Sequence, residues 1–78
     1  MYNRPMIDMQ QTGKNICRLR QEANLTVCQL QEMLGLTSPQ SIYKWQRGEA
    51  LPNVDNLVVL AEIFGVAMEE ILVHQKSK

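Results

Sequence analysis

Thiol, imidazole and aromatic side chains are few in this chain of 78 residues, which holds two cysteines, one histidine, one tryptophan, two tyrosines and one phenylalanine. Cys17 and Cys28 have no second pair of ligands near them, so they do not match a zinc framework, and in a reducing compartment a disulfide is not expected. They read as two structural thiols. His74 lies beyond the last apolar residues, with no carboxylate or nucleophile beside it, and reads as a surface residue. Paired carboxylates, a Ser/His or Cys/His constellation and a glycine-rich phosphate loop are all lacking, so an enzyme ranks behind a binding protein. Long apolar runs are lacking too: the longest uncharged one, Leu57 to Ala61, is far too short to cross a bilayer. No basic segment followed by an apolar run opens the chain, so no secretory signal is expected and the cytoplasm is the expected compartment. No cofactor, metal, membrane or small-molecule ligand is expected, and no attached sensor domain is evident.

Net charge is also missing, because eight Lys and Arg balance eight Asp and Glu. Phosphate binding usually demands a basic surface. The charge is unevenly spread, however. Residues 1–48 carry six basic groups (Arg4, Lys14, Arg18, Arg20, Lys44, Arg47) against three acidic ones (Asp8, Glu22, Glu32), whereas residues 49–78 carry two against five. The first part is therefore +3 and the second −3. Such a dipolar molecule can present one end to a polyanion.

What is present is helical punctuation, and the expected fold class is all-α, a compact five-helix bundle. Thr12 is expected to cap a first helix running to about Ala23, with Ile16, Leu19 and Ala23 as its buried stripe. Asn24 suits the left-handed residue that ends it. Thr26-Val27-Cys28-Gln29 is a capping box opening a second helix with Leu30, Met33 and Leu34, and Gly35 stops that helix. Ser38-Pro39 reads as an N-cap followed by proline at the first helical position of a third helix, residues 39–47, ended by Gly48. Asn53 caps a fourth helix with the stripe Leu57, Leu60, Ala61 and Phe64, ended by Gly65. A short fifth helix holds Met68, Ile71 and Leu72. No segment alternates at period two for long enough to be a strand.

At about 100° per residue, Ile42, Trp45 and Gln46 share one face of the third helix, while Gln40, Tyr43, Lys44 and Arg47 share the other. By itself that is a solvated surface helix. Two features point further. Helices four and five carry Asp55, Glu69 and Glu70 in their first turns, as the helix dipole favours, whereas the first three helices carry no acid there. A helix start left positive suits a phosphate. In addition, two short helices joined by a tight glycine-containing turn, the later one exposing a polar face, make a helix-turn-helix from helices two and three.

The run from Thr12 to Leu72 resembles the DNA-binding domain of the lambda-repressor-like family, which includes phage Cro proteins and Xre-type bacterial regulators. The likeness is carried by Ile16, Leu19-Arg20, Leu25-Thr26, Leu30, Leu34-Gly35-Leu36, Ile42, Trp45, Arg47-Gly48, Pro52, Leu57, Ala61, Phe64-Gly65-Val66 and Ile71-Leu72. The resemblance implies a sequence-specific, double-stranded-DNA-binding transcription regulator, a repressor, whose third helix enters the major groove and which binds a palindromic operator as a homodimer. An antitoxin or docking adaptor using the same fold is the alternative. Four departures stand out. The turn between Gly35 and Ile42 is one residue longer than the commonest pattern, Val27 replaces a phosphate-binding glutamine, Gln31 replaces a small alanine, and Gln46 replaces the glutamate that pairs with the arginine matching Arg20.

Gln40 and Lys44 are the expected base readers, because an amide can grip adenine N6/N7 and an ammonium can reach guanine O6/N7. Tyr43 either packs on a thymine methyl or covers the flank of the bundle. Gln29, Ser41, Arg47, Arg18 and Lys14 are expected to contact phosphate. Residues 1–11 form an amino-terminal arm, 12–73 the domain and 74–78 a tail. The arm is expected to fray, the alternatives being that Ile7 and Met9 dock on the bundle or that Arg4 reaches a minor groove. Val59 and Ile63 lie about 120–160° from the centre of the core stripe of helix four. With Val73 they are the expected dimer surface, unless helix one or five covers them.

Overall fold

The computed structural model of the chain describes residues 6–75. Five helices follow one another: α1 Met9–Glu22, α2 Val27–Leu34, α3 Gln40–Gln46, α4 Val54–Phe64 and α5 Met68–Ile71. No strand occurs among the described residues, and the fold is all-α as expected. Each of the first four helices ends on a left-handed residue: Asn24, Gly35, Gly48 and Gly65. The next residue then donates its N–H five residues back, from Leu25 to Arg20, Leu36 to Gln31, Glu49 to Lys44 and Val66 to Ala61. These tight stops let short helices reverse and close around one core. That core is Ile16 and Leu19 of α1, Leu30 of α2, Ile42 and Trp45 of α3, Leu57 and Leu60 of α4, and Ile71 of α5.

The start of α1 differs from expectation. Its N-cap is Asp8, whose carboxylate accepts from the Gln11 N–H at 3.0 Å. Thr12 is not a cap but a fully buried residue one turn into the helix. Its hydroxyl accepts from the Val73 N–H at 2.9 Å, and Asn15 donates its side-chain amide to the carbonyls of Glu70 at 2.6 Å and Ile71 at 3.0 Å. A buried hydroxyl needs a partner, and here that need ties the end of the chain to α1. Residues 6–8 run antiparallel to 73–75, with Ile7 bridged to His74, the Asp8 N–H donating to Val73 and the Gln75 N–H to Met6. The described part of the expected arm is therefore docked. Arg4 lies outside the described residues.

The expected caps of α2 and α4 are present. Thr26 accepts from Gln29 while Gln29 accepts from the Thr26 N–H, and Asn53 accepts from the Asn56 N–H at 2.8 Å. At α3 the expectation shifts by one residue: Pro39 is the cap position, the helix begins at Gln40, and Ser38 accepts weakly from the Gln40 N–H at 3.4 Å.

Candidate nucleic-acid interface

The third helix is seven residues long, too short to persist alone in water. It is held by what lies beneath it. Ile42 and Trp45 are buried in the core, while Gln40, Tyr43, Lys44 and Arg47 are exposed and Ser41 is half-buried. The face division read from helical spacing is the one the fold adopts. Under the helix, Gly13 of α1 sits directly against its carboxyl-terminal carbonyls: a methyl group at Gly13 would collide with the Trp45 carbonyl and lie 2.8 Å from that of Gln46. Gly48, with φ +77°, packs equally closely on Gln10, whose Cα would be 2.9 Å from any Cβ there. Only glycine fits both the left-handed conformation and this contact. The first two turns of α1 thus form a bed for the end of α3.

Arg20 locks the angle between these elements. Its Nε donates to Gln46 Oε1 at 3.0 Å, one Nη to the Leu25 carbonyl at 2.8 Å, and the other Nη contacts Cys17 Sγ at 3.6 Å. One half-buried side chain therefore joins α1, the turn before α2 and the end of α3. The neutral Gln46 makes this a charge-to-neutral hydrogen bond, as its place in the sequence implied. Gln31 has a role that sequence reasoning missed. Its amide donates to the Leu36 carbonyl at 3.2 Å and so braces the longer turn that leads into α3.

The expected phosphate contacts fare differently from one another. Gln29 has its side-chain oxygen committed to the capping box, leaving its NH2 as the donor it can offer at the start of α2. Neither α2 nor α3 has an acidic residue in its first turn. The first turn of α1 also lacks an acid, as expected, but Asp8 supplies a carboxylate at the cap itself, so this helix start is not left positive. Lys14 is exposed. Arg18 lies about 140° around α1 from Gly13, away from α3. It is paired with Glu22 at 2.9 Å and donates to Asn15 Oδ1, in a shallow groove shared with Gln11, Lys14 and Val73. Arg47 is paired with Glu49, Nε to Oε2 at 2.8 Å and Nη2 to Oε1 at 3.2 Å. Those hydrogen bonds hold the Glu49 carboxyl below the usual carboxylate range and raise the Arg47 guanidinium further.

Of the apolar residues expected at a dimer surface, one is drawn towards the core. Ile63 packs against the core cluster of its own chain. Val59 and Val73 are half-buried, and Val73 spends its backbone groups on Thr12 and Asp8. The apolar side chains that do face solvent include Leu51, Val54 and Val58, at 37, 73 and 40% exposure, with Met68 on α5. Among the described residues no helix is long and apolar enough to cross a membrane.

Comparison with known proteins agrees with this geometry. A family profile described as helix-turn-helix matches residues 18–71. The helix-turn-helix transcriptional activator BcrR of Enterococcus faecalis is 38% identical over 60 residues, which make up 77% of this chain and 29% of that protein. The chain thus spans less than a third of the length of that relative. Among solved structures, the restriction-modification controller protein C.AhdI from Aeromonas hydrophila superposes with a TM-score of 0.72 at 22% identity, over 82% of this chain and 96% of that one. The P22 c2 repressor, solved with a synthetic operator, gives 0.72 at 28% identity, over 78% and 91%.

Proposed function

The chain belongs to the helix-turn-helix family of Cro/C1-type DNA-binding transcription regulators, and from that premise we propose that it binds duplex DNA sequence-specifically by laying α3 in the major groove, acting as a repressor. The observation that carries this reading is the split of α3: two anchors, Ile42 and Trp45, are buried, while Gln40, Tyr43, Lys44 and Arg47 are exposed on a helix with no acid at its start. Gln40 and Lys44 read base edges, and Lys14, Ser41 and the Gln29 amide fix register on phosphates. Repression then needs only occupancy of a site. One such helix reads few base pairs, so two copies are expected on a palindrome with half-sites about 34 Å apart. Exposed Val54 and Val58, one turn apart on α4, are apolar surface that a second copy would cover.

The net charge of zero favours a second reading, a protein-interaction module. Selection of bound duplexes from a random pool, followed by a salt titration, separates the two. A selected palindromic site whose affinity falls steeply with salt supports DNA binding. Replacing Gln40 and Lys44 together by alanine should then weaken the selected site by about 1–3 kcal/mol for each contact, with thermal stability unchanged. A folded double variant that binds as tightly as the parent would remove those two residues from the site.

A further inference from the structure

We propose that Glu49 converts Arg47 from a phosphate contact into a reader of guanine; the inference rests on the DNA-binding reading of α3 and assigns its last outward residue. Arg47 lies within about 60° of Gln40 and Lys44 around the helix axis, on the face turned to the groove. A guanidinium has two two-donor edges, one formed by Nε with one Nη and the other by the two Nη groups. In this structure Glu49 occupies the first, at 2.8 and 3.2 Å. Among the described residues no other acceptor meets Arg47, so the end-on edge is left to project.

Glu49 is itself held in place. It follows the left-handed Gly48, which packs on Gln10, and its N–H donates to the Lys44 carbonyl at 2.9 Å. The helix end fixes the backbone from which the carboxylate reaches Arg47, and the pair restrains a side chain that would otherwise sweep solvent. A carboxyl is ionised at neutral pH in any case, and the hydrogen bonds from Arg47 hold this one further below its usual range.

The pair is neutral, and this decides the ligand. A phosphate approaching the end-on edge meets a carboxylate on the neighbouring edge of the same guanidinium, which offsets about half of the attraction that draws a free arginine to the backbone. A neutral base edge meets no such repulsion. Guanine presents two acceptors, O6 and N7, spaced for the end-on fork. Arginine held by a carboxylate is thereby a weak phosphate ligand and a directed guanine ligand.

The test is duplex selection and salt titration with the parent chain, Glu49→Gln and Arg47→Lys. Both residues are exposed, and unchanged melting temperatures check that the variants fold. The parent should show a guanine preference of roughly ten- to a hundredfold at one position of each half-site, the discrimination of one bidentate pair. In Glu49→Gln that preference should fall below about threefold, while affinity for random duplex rises and the salt slope steepens by about 0.9, the signature of one new phosphate contact. Arg47→Lys should lose the same preference. A selected site whose base preferences survive both substitutions overturns the guanine assignment and leaves the DNA reading standing. A parent chain that selects no duplex overturns the DNA reading, and the guanine assignment with it.

Discussion

Consecutive helices α3 and α4 are built on opposite terms. The fourth has eleven residues, an asparagine cap bonded at 2.8 Å and an aspartate in its first turn. The third has seven residues, no acid in its first turn and only a 3.4 Å contact from Ser38 at its start. Neither is long enough to persist in isolation, but the fourth has its start satisfied locally. The third lacks such a start, and exists because Ile42 and Trp45 are pulled into the core and α1 offers a glycine bed. Groups that would stabilise α3 locally, a carboxylate at its start or an apolar cover on its outer face, would occupy the surface that meets a ligand. Its stability has been moved underneath, which leaves the outer face free to vary.

The largest effect should come from removing that support. Trp45→Ala should cost about 3–5 kcal/mol, a large share of the stability of a domain of this size at roughly 0.05–0.15 kcal/mol per residue. Denaturant melts should show the midpoint displaced accordingly, with a larger unfolded fraction in the absence of denaturant. A Trp45→Ala protein that loses less than about 1 kcal/mol would mean that α3 is held by something other than its anchors. Next comes Gly13→Ala. Adding a methyl forces α1 away from the backbone of Trp45 and Gln46, and backbone cannot rotate aside as a side chain can. Overpacking of this kind costs about 1–3 kcal/mol, and the tilt of α3 should change with it. Gly13→Ala should therefore lose DNA affinity even under conditions where it is fully folded. Unaltered stability would show that the two helices can slide apart without loss.

The same contrast explains what could be read from the sequence. Features written locally were legible: the Thr26–Gln29 box, the Asn53 cap, the left-handed stops, and the face division of α3 all depend on residues within one or two turns. Features written across the chain were not. Thr12 has the residue type and position of a cap, and only the Val73 amide, 61 residues away, shows that its hydroxyl is used elsewhere. Ile63 lies off the stripe of its own helix, but the stripe of one helix does not reveal which neighbour closes over its flank. Gln31 stands where an alanine is common, and nothing near it in sequence indicates that its amide donates to the Leu36 carbonyl. The Arg47–Glu49 pair is two residues apart across a glycine stop, outside the i, i+3 and i, i+4 spacings by which helix pairs are recognised. Position along the chain was therefore a good guide to the two faces of α3 and a poor one to what each side chain is bonded to.

The smallest expected effect sharpens the contrast at the helix starts themselves. Asn53→Ala removes a well-formed bond to the Asn56 N–H and should cost about 0.5–2 kcal/mol, the usual range for an N-cap. Ser38→Ala removes a longer contact, at a position before the cap residue Pro39, whose ring has already fixed the backbone entering α3. Its cost should fall within about 0.5 kcal/mol, as for an ordinary surface change. The two single variants and the double variant, melted in parallel, should add independently, because the sites share no partner. A Ser38 variant that loses as much as the Asn53 variant would mean that α3 does rely on its own cap. In that case the support of α3 would be shared between its own start and the anchors beneath it.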